Sequence, residues 1–220
     1  MNEQAETPDL YPVSLDVTGR SCLVVGGGRV AAHKARALVE CGAAVTVVAP
    51  DLSAEMDRLV PSLHAVERRR YQRGDAGGFR LVVTATGRPE VDGEVAADAE
   101  AAGVWVNSAD DRANCTFILP AVHRDGPVTV SVSTAGTSPA LASWLRTRLA
   151  DACGPHVGVL AELLGEARQR LLASGVSTAM VDWQRLLDGP LLDLVRSGDL
   201  NGARDLIEEA LPPAAAPPPR

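Results

Sequence analysis

Aromatic side chains are scarce in this sequence of 220 residues, which has only 3 Trp, 2 Tyr and 2 Phe. Proteins that bind single-stranded nucleic acids stack the bases on aromatic faces, so this chain is not expected to be such a platform. Its formal net charge of -7 also disfavours duplex DNA, whose phosphates are bound mainly by Lys and Arg. The composition therefore predicts no nucleic-acid partner.

Long apolar runs are missing as well. A bilayer-spanning helix needs about 20 consecutive apolar residues, and Gly, Pro or charged residues interrupt every apolar run before that length. The first ten residues, MNEQAETPDL, are acidic and contain no apolar stretch, unlike a secretory signal. We therefore expect no membrane partner and a cytoplasmic location.

Metal-binding patterns are absent from the sequence. Its cysteines form no CxxC pair and its histidines show no i, i+4 spacing, so we predict no metal site and expect buried free thiols. These residues are Cys22, Cys41, Cys115 and Cys153, and His33, His64, His123 and His156.

What the chain does contain is a strong βαβ pattern near its start. An apolar run at 21–25 predicts a buried strand, GGG at 26–28 predicts a tight turn, and 29–41 shows helical spacing before Gly42. We expect Val30, Ala37, Leu38 and Cys41 to form the buried face of this helix. A second strand follows at 44–50.

Gly26, Gly28 and Ala31 spell GxGxxA between this strand and helix. Glycines at these positions allow a pyrophosphate to approach the backbone at a helix N-terminus, which favours negative charge. The pattern predicts dinucleotide binding, and the alternative is merely a tight turn. Asp51 follows the second strand, where it either binds a ribose diol or caps the next segment. Because no Arg follows Asp51 to bind a 2′-phosphate, NAD is favoured over NADP.

The alternation of strands and helices continues with strands at 81–86 and 104–107 and a helix between them, which predicts a Rossmann-like doubly wound parallel sheet of the α/β class. Two further strands, FILPAV at 117–122 and PVTVSVS at 127–133, are expected to pair in a small sheet. Helical spacing follows from Pro139, with a stripe formed by Leu160, Leu163, Leu164, Ala167 and Leu171. The last ten residues contain five prolines and predict an extended tail.

Two polar clusters follow predicted strands, where open α/β sheets place their binding sites. The first is 107–111, with Asn107 and the acidic Asp110 and Asp111; the second is 133–139, with Ser138 as a helix N-cap before Pro139. In a functional interpretation, the first cluster offers a carboxylate that moves protons and the second a hydroxyl-rich helix start that holds substrate anions. In a purely structural interpretation, the first is only a loop and the second only a helix cap.

The segments VGGGRVAAHKARALVECGAAVTVVAP, VNSADD and VSVSTAGTSPALASWLR, in this order and spacing, resemble the precorrin-2 dehydrogenase family, which forms the N-terminal half of sirohaem synthases. The resemblance implies a homodimeric enzyme that oxidises precorrin-2 to sirohydrochlorin with NAD. Many members also insert iron, so Fe²⁺ is a candidate chelation substrate. It further implies an NAD-binding domain at 1–115, a dimerisation region at 116–150, a helical domain at 151–210 and a Pro-rich tail or linker at 211–220.

Residue by residue, the resemblance assigns Asp110 as the catalytic carboxylate. Positions that match the family's NAD contacts are Gly26, Gly27, Gly28, Arg29, Val30, Pro50, Asp51 and Thr86. The expected substrate contacts are Asn107, Thr134, Thr137 and Ser138. The chain departs from the family at Thr134, where Ser is frequent, and at Gly87 and Arg88, where acidic residues are common.

Two other functions remain open at this stage. A non-catalytic NAD-sensing dimer module would have the same glycine turn but no need of Asp110. A dedicated metal chelatase that has lost the oxidation step would bind NAD weakly in spite of that turn.

Overall fold

The computed structural model describes residues 9–109 and 111–212. The chain divides into two compact units between Leu119 and Pro120. The last eight residues of the predicted tail lie outside the described residues.

The first unit is a five-stranded sheet in the order β3-β2-β1-β4-β5, in which every pair of neighbouring strands is parallel. The strands are β1 Ser21–Val25, β2 Ala44–Val48, β3 Ala65–Glu67, β4 Leu81–Thr84 and β5 Trp105–Ser108. The helices are α1 Arg29–Glu40, α2 Ala54–Asp57 and α3 Pro89–Ala101, with single 3-10 turns at Val60–Ser62 and Arg112–Asn114. This arrangement confirms the predicted doubly wound α/β fold.

Both faces of the sheet are covered, which explains why its central strands are apolar at successive positions. On one face, Val24 and Val47 pack with α1 and with Met56 of α2. On the other face, Leu23 and Val82 pack with α3. The chain order reverses beside β1, so the carboxyl ends of β1 and β4 flank the crevice where such sheets bind ligands.

The buried face of α1 differs from the predicted one. Its buried residues are Ala31, Ala32 and Ala35, whereas Ala37 is exposed and the side chain of Val30 is 48% exposed. The helix approaches the sheet closely, and only short side chains fit at that contact. Leu38 and Cys41 of the predicted face are half-buried and pack against the core, so the prediction is wrong for Val30 and Ala37.

The second unit begins with an antiparallel hairpin of β6 Ala121–Asp125 and β7 Val128–Val132, which confirms the predicted small sheet. The first of these strands starts later than predicted, because the segment before Pro120 is bonded elsewhere. Thr116 N–H donates to the carbonyl of Val106 at 2.8 Å, and the carbonyl of Phe117 accepts from Asn107 at 3.0 Å. Residues 116 and 117 therefore run along β5.

Helices form the rest of the second unit. They are α4 Pro139–Cys153, α5 Val157–Ala173, α6 Trp183–Leu187, α7 Leu191–Ser197 and α8 Leu200–Ala210, with a 3-10 turn at Thr178–Met180. The predicted stripe of α5 is confirmed, since Leu160, Leu163, Ala167 and Leu171 are buried. They pack with α7 and α8. Among the described residues, every helix is too short or too polar to cross a membrane.

Candidate functional site

The glycine turn joins β1 to α1 at the carboxyl edge of the sheet. Gly26 has a φ of +126°, and a Cβ there would lie 2.4 Å from the carbonyl oxygen of Ala85. A Cβ on Gly27 would lie 1.9 Å from the carbonyl oxygen of Asp51. These two glycines are therefore required by the close approach of the loops that follow β4 and β2.

Gly28 differs from its two neighbours, because a Cβ on it would meet nothing within 4 Å. Gly28 is the N-cap residue of α1, and among the described residues no side chain caps this helix end. The first-turn N–H groups of α1 and the exposed Arg29 thus form a positive, accessible surface. This open backbone fits the pyrophosphate of a dinucleotide.

Val30, Pro50 and Asp51 are exposed around the same turn. Of the two roles left open for Asp51, the structure excludes the cap, because Ser53 caps α2 by accepting a hydrogen bond from Met56 N–H at 3.3 Å. Ser53 N–H in turn donates to the carbonyl of Gly27 at 2.8 Å. The carboxylate of Asp51, to which no described residue donates, is therefore available to a ligand beside the glycine turn.

Thr86 lies in the β4–α3 loop, whose conformation depends on Asp92 of α3. This carboxylate is buried, with 7% of the residue exposed. It accepts a hydrogen bond from the Thr86 N–H at 3.1 Å, from the Thr86 hydroxyl at 2.9 Å, and from the hydroxyl of the fully buried Thr84. Asp92 thus fixes the loop that faces the glycine turn, and the sequence analysis did not single it out.

Asn107 lies near the end of β5 and is 6% exposed. Its amide nitrogen donates to the carbonyl of Phe117 at 3.0 Å and to Cys115 Sγ at 3.5 Å. The predicted substrate contact through Asn107 stays a prediction, and the amide donor is engaged within the first unit. Its observed contacts attach β5 to the chain segment beyond the loop.

Besides the backbone of Thr116, two side chains bond the outer edge of β5. Val106 N–H donates to Thr116 Oγ1 at 2.8 Å, and Ser108 N–H donates to Cys115 Sγ at 3.2 Å. The Cys115 thiol also lies 3.3 Å from the carbonyl of Ser108 and 3.2 Å from that of Asp111. Burial raises the pKa of this thiol, which favours the S–H form, and its one hydrogen can be donated to one of these two oxygens.

The catalytic candidate Asp110 lies outside the described residues. Its neighbour Ala109 donates its N–H to the carbonyl of Thr84 at 2.9 Å, which attaches the start of the loop to β4. Asp111 caps the 3-10 turn by accepting from Ala113 N–H at 2.9 Å and from the Asn114 amide at 2.8 Å. The role predicted for Asp110 stays a prediction.

Thr134, Thr137 and Ser138 belong to the second unit, in the loop that precedes α4. Ser138 Oγ accepts from Leu141 N–H at 3.3 Å, which confirms the predicted N-cap. Thr134 Oγ1 accepts from Ser138 N–H and donates to the Ser138 carbonyl, both at 3.1 Å. The hydroxyl of Thr137 donates to the Thr134 carbonyl. Hydrogen bonds within the loop thus organise all three hydroxyls, and substrate contact by them stays a prediction.

Comparison with known families covers both units. Residues 13–121 match a family described as "Putative NAD(P)-binding", and residues 125–152 match one described as "Sirohaem biosynthesis protein central". The solved structure of SirC, precorrin-2 dehydrogenase, matches with a TM-score of 0.72 and 28% identity, over 91% of this chain and 98% of that one. Over both units, the chain is thus similar to proteins of sirohaem biosynthesis.

The curated siroheme synthases that match are longer than the present chain. The siroheme synthase of Methylococcus capsulatus is 36% identical over 94% of this chain and 44% of its own length. That of Chromobacterium violaceum is 37% identical over 92% of this chain and 44% of its own length. The chain therefore spans less than half of the curated relatives it matches, whereas it spans nearly all of SirC.

Several residues that organise the candidate site were missed by sequence reasoning. They are Ser53, Asp92 and Cys115. Each is a single polar side chain that bonds backbone or hydroxyl groups, with no repeating spacing that would mark it. For Asp92 the sequence did offer one signal. It is an acidic residue in the first turn of α3, shortly after the two threonines at the end of β4, Thr84 and Thr86.

Proposed function

We propose that this chain is a dehydrogenase that oxidises precorrin-2 to sirohydrochlorin with NAD. The match to almost the whole of SirC supports the reaction. The proposal depends on the open position of Gly28 at the N-terminus of α1, which leaves room for a pyrophosphate. The contacts of neighbouring loops explain Gly26 and Gly27, but they do not explain a glycine at position 28.

In this proposal, the first turn of α1 and Arg29 hold the pyrophosphate, and Val30, Pro50 and Thr86 line the rest of the cofactor site. Asp51 accepts hydrogen bonds from the ribose hydroxyls, which favours NAD over NADP. When bound, NAD supplies a hydride acceptor. The remaining chemistry belongs to the chain itself.

Oxidation of the tetrapyrrole removes a hydride and a proton, so the site needs a base for the proton. We assign that role to Asp110, in the loop after β5. Candidate contacts to the carboxylates of the substrate are Thr134, Thr137 and the N-cap Ser138 in the second unit and, taken by itself, Asn107 in the first. These assignments rest on the match between their sequence positions and the family pattern.

The deciding experiment is anaerobic incubation of the chain with precorrin-2 and NAD, followed by the absorbance of NADH and sirohydrochlorin. We expect the wild type to reduce NAD. Asp110→Asn should lose about 10²–10⁴-fold in turnover, which is the range for general acid–base catalysis, and should keep its affinity for NAD. Asp111→Asn is the matched control, since Asn still accepts a hydrogen bond from Ala113 N–H.

The outcomes separate the candidate functions. If Asp110→Asn turns over at the wild-type rate, Asp110 is not the base. If the wild type does not reduce NAD, the non-catalytic NAD-sensing module is favoured. Iron insertion, with Fe²⁺ as substrate, is tested by adding Fe²⁺ to the sirohydrochlorin formed. If Asp110→Asn also loses this step, the two reactions share the carboxylate.

A homodimer is part of the proposal, as is a cytoplasmic location. Helix α4 buries only Ala142, whereas Leu141, Leu149 and the 55%-exposed Trp144 are exposed apolar residues on it. Exposed apolar patches of this kind mark interaction surfaces. Sedimentation should give a dimer at micromolar concentration, and Trp144→Ala should shift it towards monomer. A monomeric wild type would contradict this part of the proposal.

A further inference from the structure

The loop after β5 is closed by one sulfur atom. Cys115 Sγ accepts a hydrogen bond from Ser108 N–H at 3.2 Å, immediately before the loop. The same thiol lies 3.2 Å from the carbonyl of Asp111, in the middle of the loop. It therefore joins the last residue of the strand to the loop that this strand leads into.

Two further polar groups lie close to the sulfur. The Asn107 amide donates to it at 3.5 Å, and the carbonyl of Ser108, 3.3 Å away, is a second acceptor for the one thiol hydrogen. The thiol thus meets a backbone donor, backbone acceptors and a side-chain amide at the carboxyl edge of the sheet. A purely packing residue would need none of these groups.

We propose that Cys115 is a positioning residue of the dehydrogenase reaction, which fixes Ser108 and Asp111 on either side of the proposed base. The inference rests on the proposed function. Cys115 acts through the loop and makes no contact with reacting atoms. Small displacements of a catalytic group are costly, since about 1 Å of misplacement can reduce a rate on the order of 10²-fold.

Thr116 provides a matched control, because it covers the same edge of β5 one step earlier. Its hydroxyl accepts from Val106 N–H at 2.8 Å and makes no bond to the loop 109–114 among the described residues. Thr116→Val removes this hydroxyl at nearly constant shape. It therefore tests whether loosening the edge of β5 is by itself enough to slow the reaction.

The experiment compares Cys115→Ala, Cys115→Ser and Thr116→Val with the wild type. We expect Cys115→Ala to lose about 10- to 100-fold in kcat, with an unchanged KM for precorrin-2 and unchanged NAD affinity. Cys115→Ser keeps a donor and an acceptor and should recover part of the loss. Thr116→Val should retain the wild-type kcat.

A second measurement does not depend on activity. Amide hydrogen exchange at Ser108 should become faster in Cys115→Ala and be partly restored in Cys115→Ser, because its N–H loses and then regains an acceptor. Unchanged exchange at Ser108 in Cys115→Ala would overturn the inference. So would a wild-type kcat in Cys115→Ala, or equal losses in the Ala, Ser and Thr116→Val variants. A wild type that fails to oxidise precorrin-2 would instead overturn the proposed function, and the exchange result would still decide whether Cys115 closes the loop.

Discussion

The glycine turn and the loop after β5 lie at the same edge of the sheet but are fixed in different ways. At the glycine turn, backbone meets backbone, and Gly26 and Gly27 are required because a Cβ would collide with the carbonyls of Ala85 and Asp51. After β5, side chains hold the backbone, through the Cys115 thiol, the Thr116 hydroxyl and the Asn107 amide. The glycine turn thus depends on residues without side chains, whereas the loop after β5 depends on specific side chains.

This difference assigns different tasks to the two sides. A turn made of backbone can approach an anion closely and offers N–H groups that do not titrate, which suits a cofactor's pyrophosphate. A loop held by side chains can be adjusted by single substitutions, which suits the placement of a catalytic group. Breaking each side should accordingly produce a different kind of defect.

The largest effect is expected for Gly27→Ala. The new Cβ would lie 1.9 Å from the carbonyl oxygen of Asp51, so the two loops must separate and the hydrogen bond from Ser53 N–H to Gly27 must weaken. Overpacking commonly costs about 1–3 kcal/mol, and a collision with backbone belongs at the upper end. Chemical denaturation of the purified variant measures the loss. A free energy of unfolding equal to that of the wild type would show that the loop contact is dispensable.

Gly28→Ala is the matched substitution at the next position, and it should weaken NAD binding while changing stability little. Nothing lies within 4 Å of the new Cβ, so we expect a loss of stability of at most about 1 kcal/mol, from the poorer N-cap. The methyl group would instead obstruct the pyrophosphate, and losing one or two charge-assisted hydrogen bonds would weaken NAD binding roughly 10- to 100-fold. Calorimetric titration gives the affinity. Unchanged binding of NAD by this variant would argue against a cofactor site at the turn.

The same contrast explains what the sequence could predict. The parallel sheet can be predicted from the sequence because its strands are apolar runs that alternate with helices. The glycine turn can be predicted because its glycines have a fixed spacing between a strand and a helix. The face of α1 was predicted only in part, because the closest contact selects short residues such as Ala31 and Ala35 rather than large ones. The roles of Cys115 and Asp92 depend on single hydrogen bonds to partners 4 to 8 residues away, and no repeating pattern in the sequence marks such bonds.

Asp92 extends the comparison to the β4–α3 loop, which side chains also hold. Asp92→Ala would leave the hydroxyl of the fully buried Thr84 without its acceptor and would release Thr86. A buried group without its hydrogen-bond partner costs about 1–3 kcal/mol, and we expect a decrease in stability of about 2 kcal/mol. Thermal unfolding measures this decrease. Asp92→Asn keeps one carbonyl oxygen at this position and should recover most of the stability; equal losses in the two variants would mean that packing, rather than the hydrogen bonds, fixes the loop.

The smallest effect is expected for Asp51→Asn, which changes a side chain beside the glycine turn. The carbonyl of Asp51 contacts the glycine turn, but its carboxylate is exposed and accepts from no described residue, so stability should not change. Asn keeps the shape and removes the charge that favours a ribose diol and repels a 2′-phosphate. We expect the ratio of NAD to NADP affinities to fall roughly tenfold, which corresponds to about 1.4 kcal/mol. Parallel titrations with the two dinucleotides measure the ratio, and Asp57→Asn serves as the control because that exposed carboxylate pairs with Arg68 on the surface. An unchanged ratio in Asp51→Asn would mean that another group selects the cofactor.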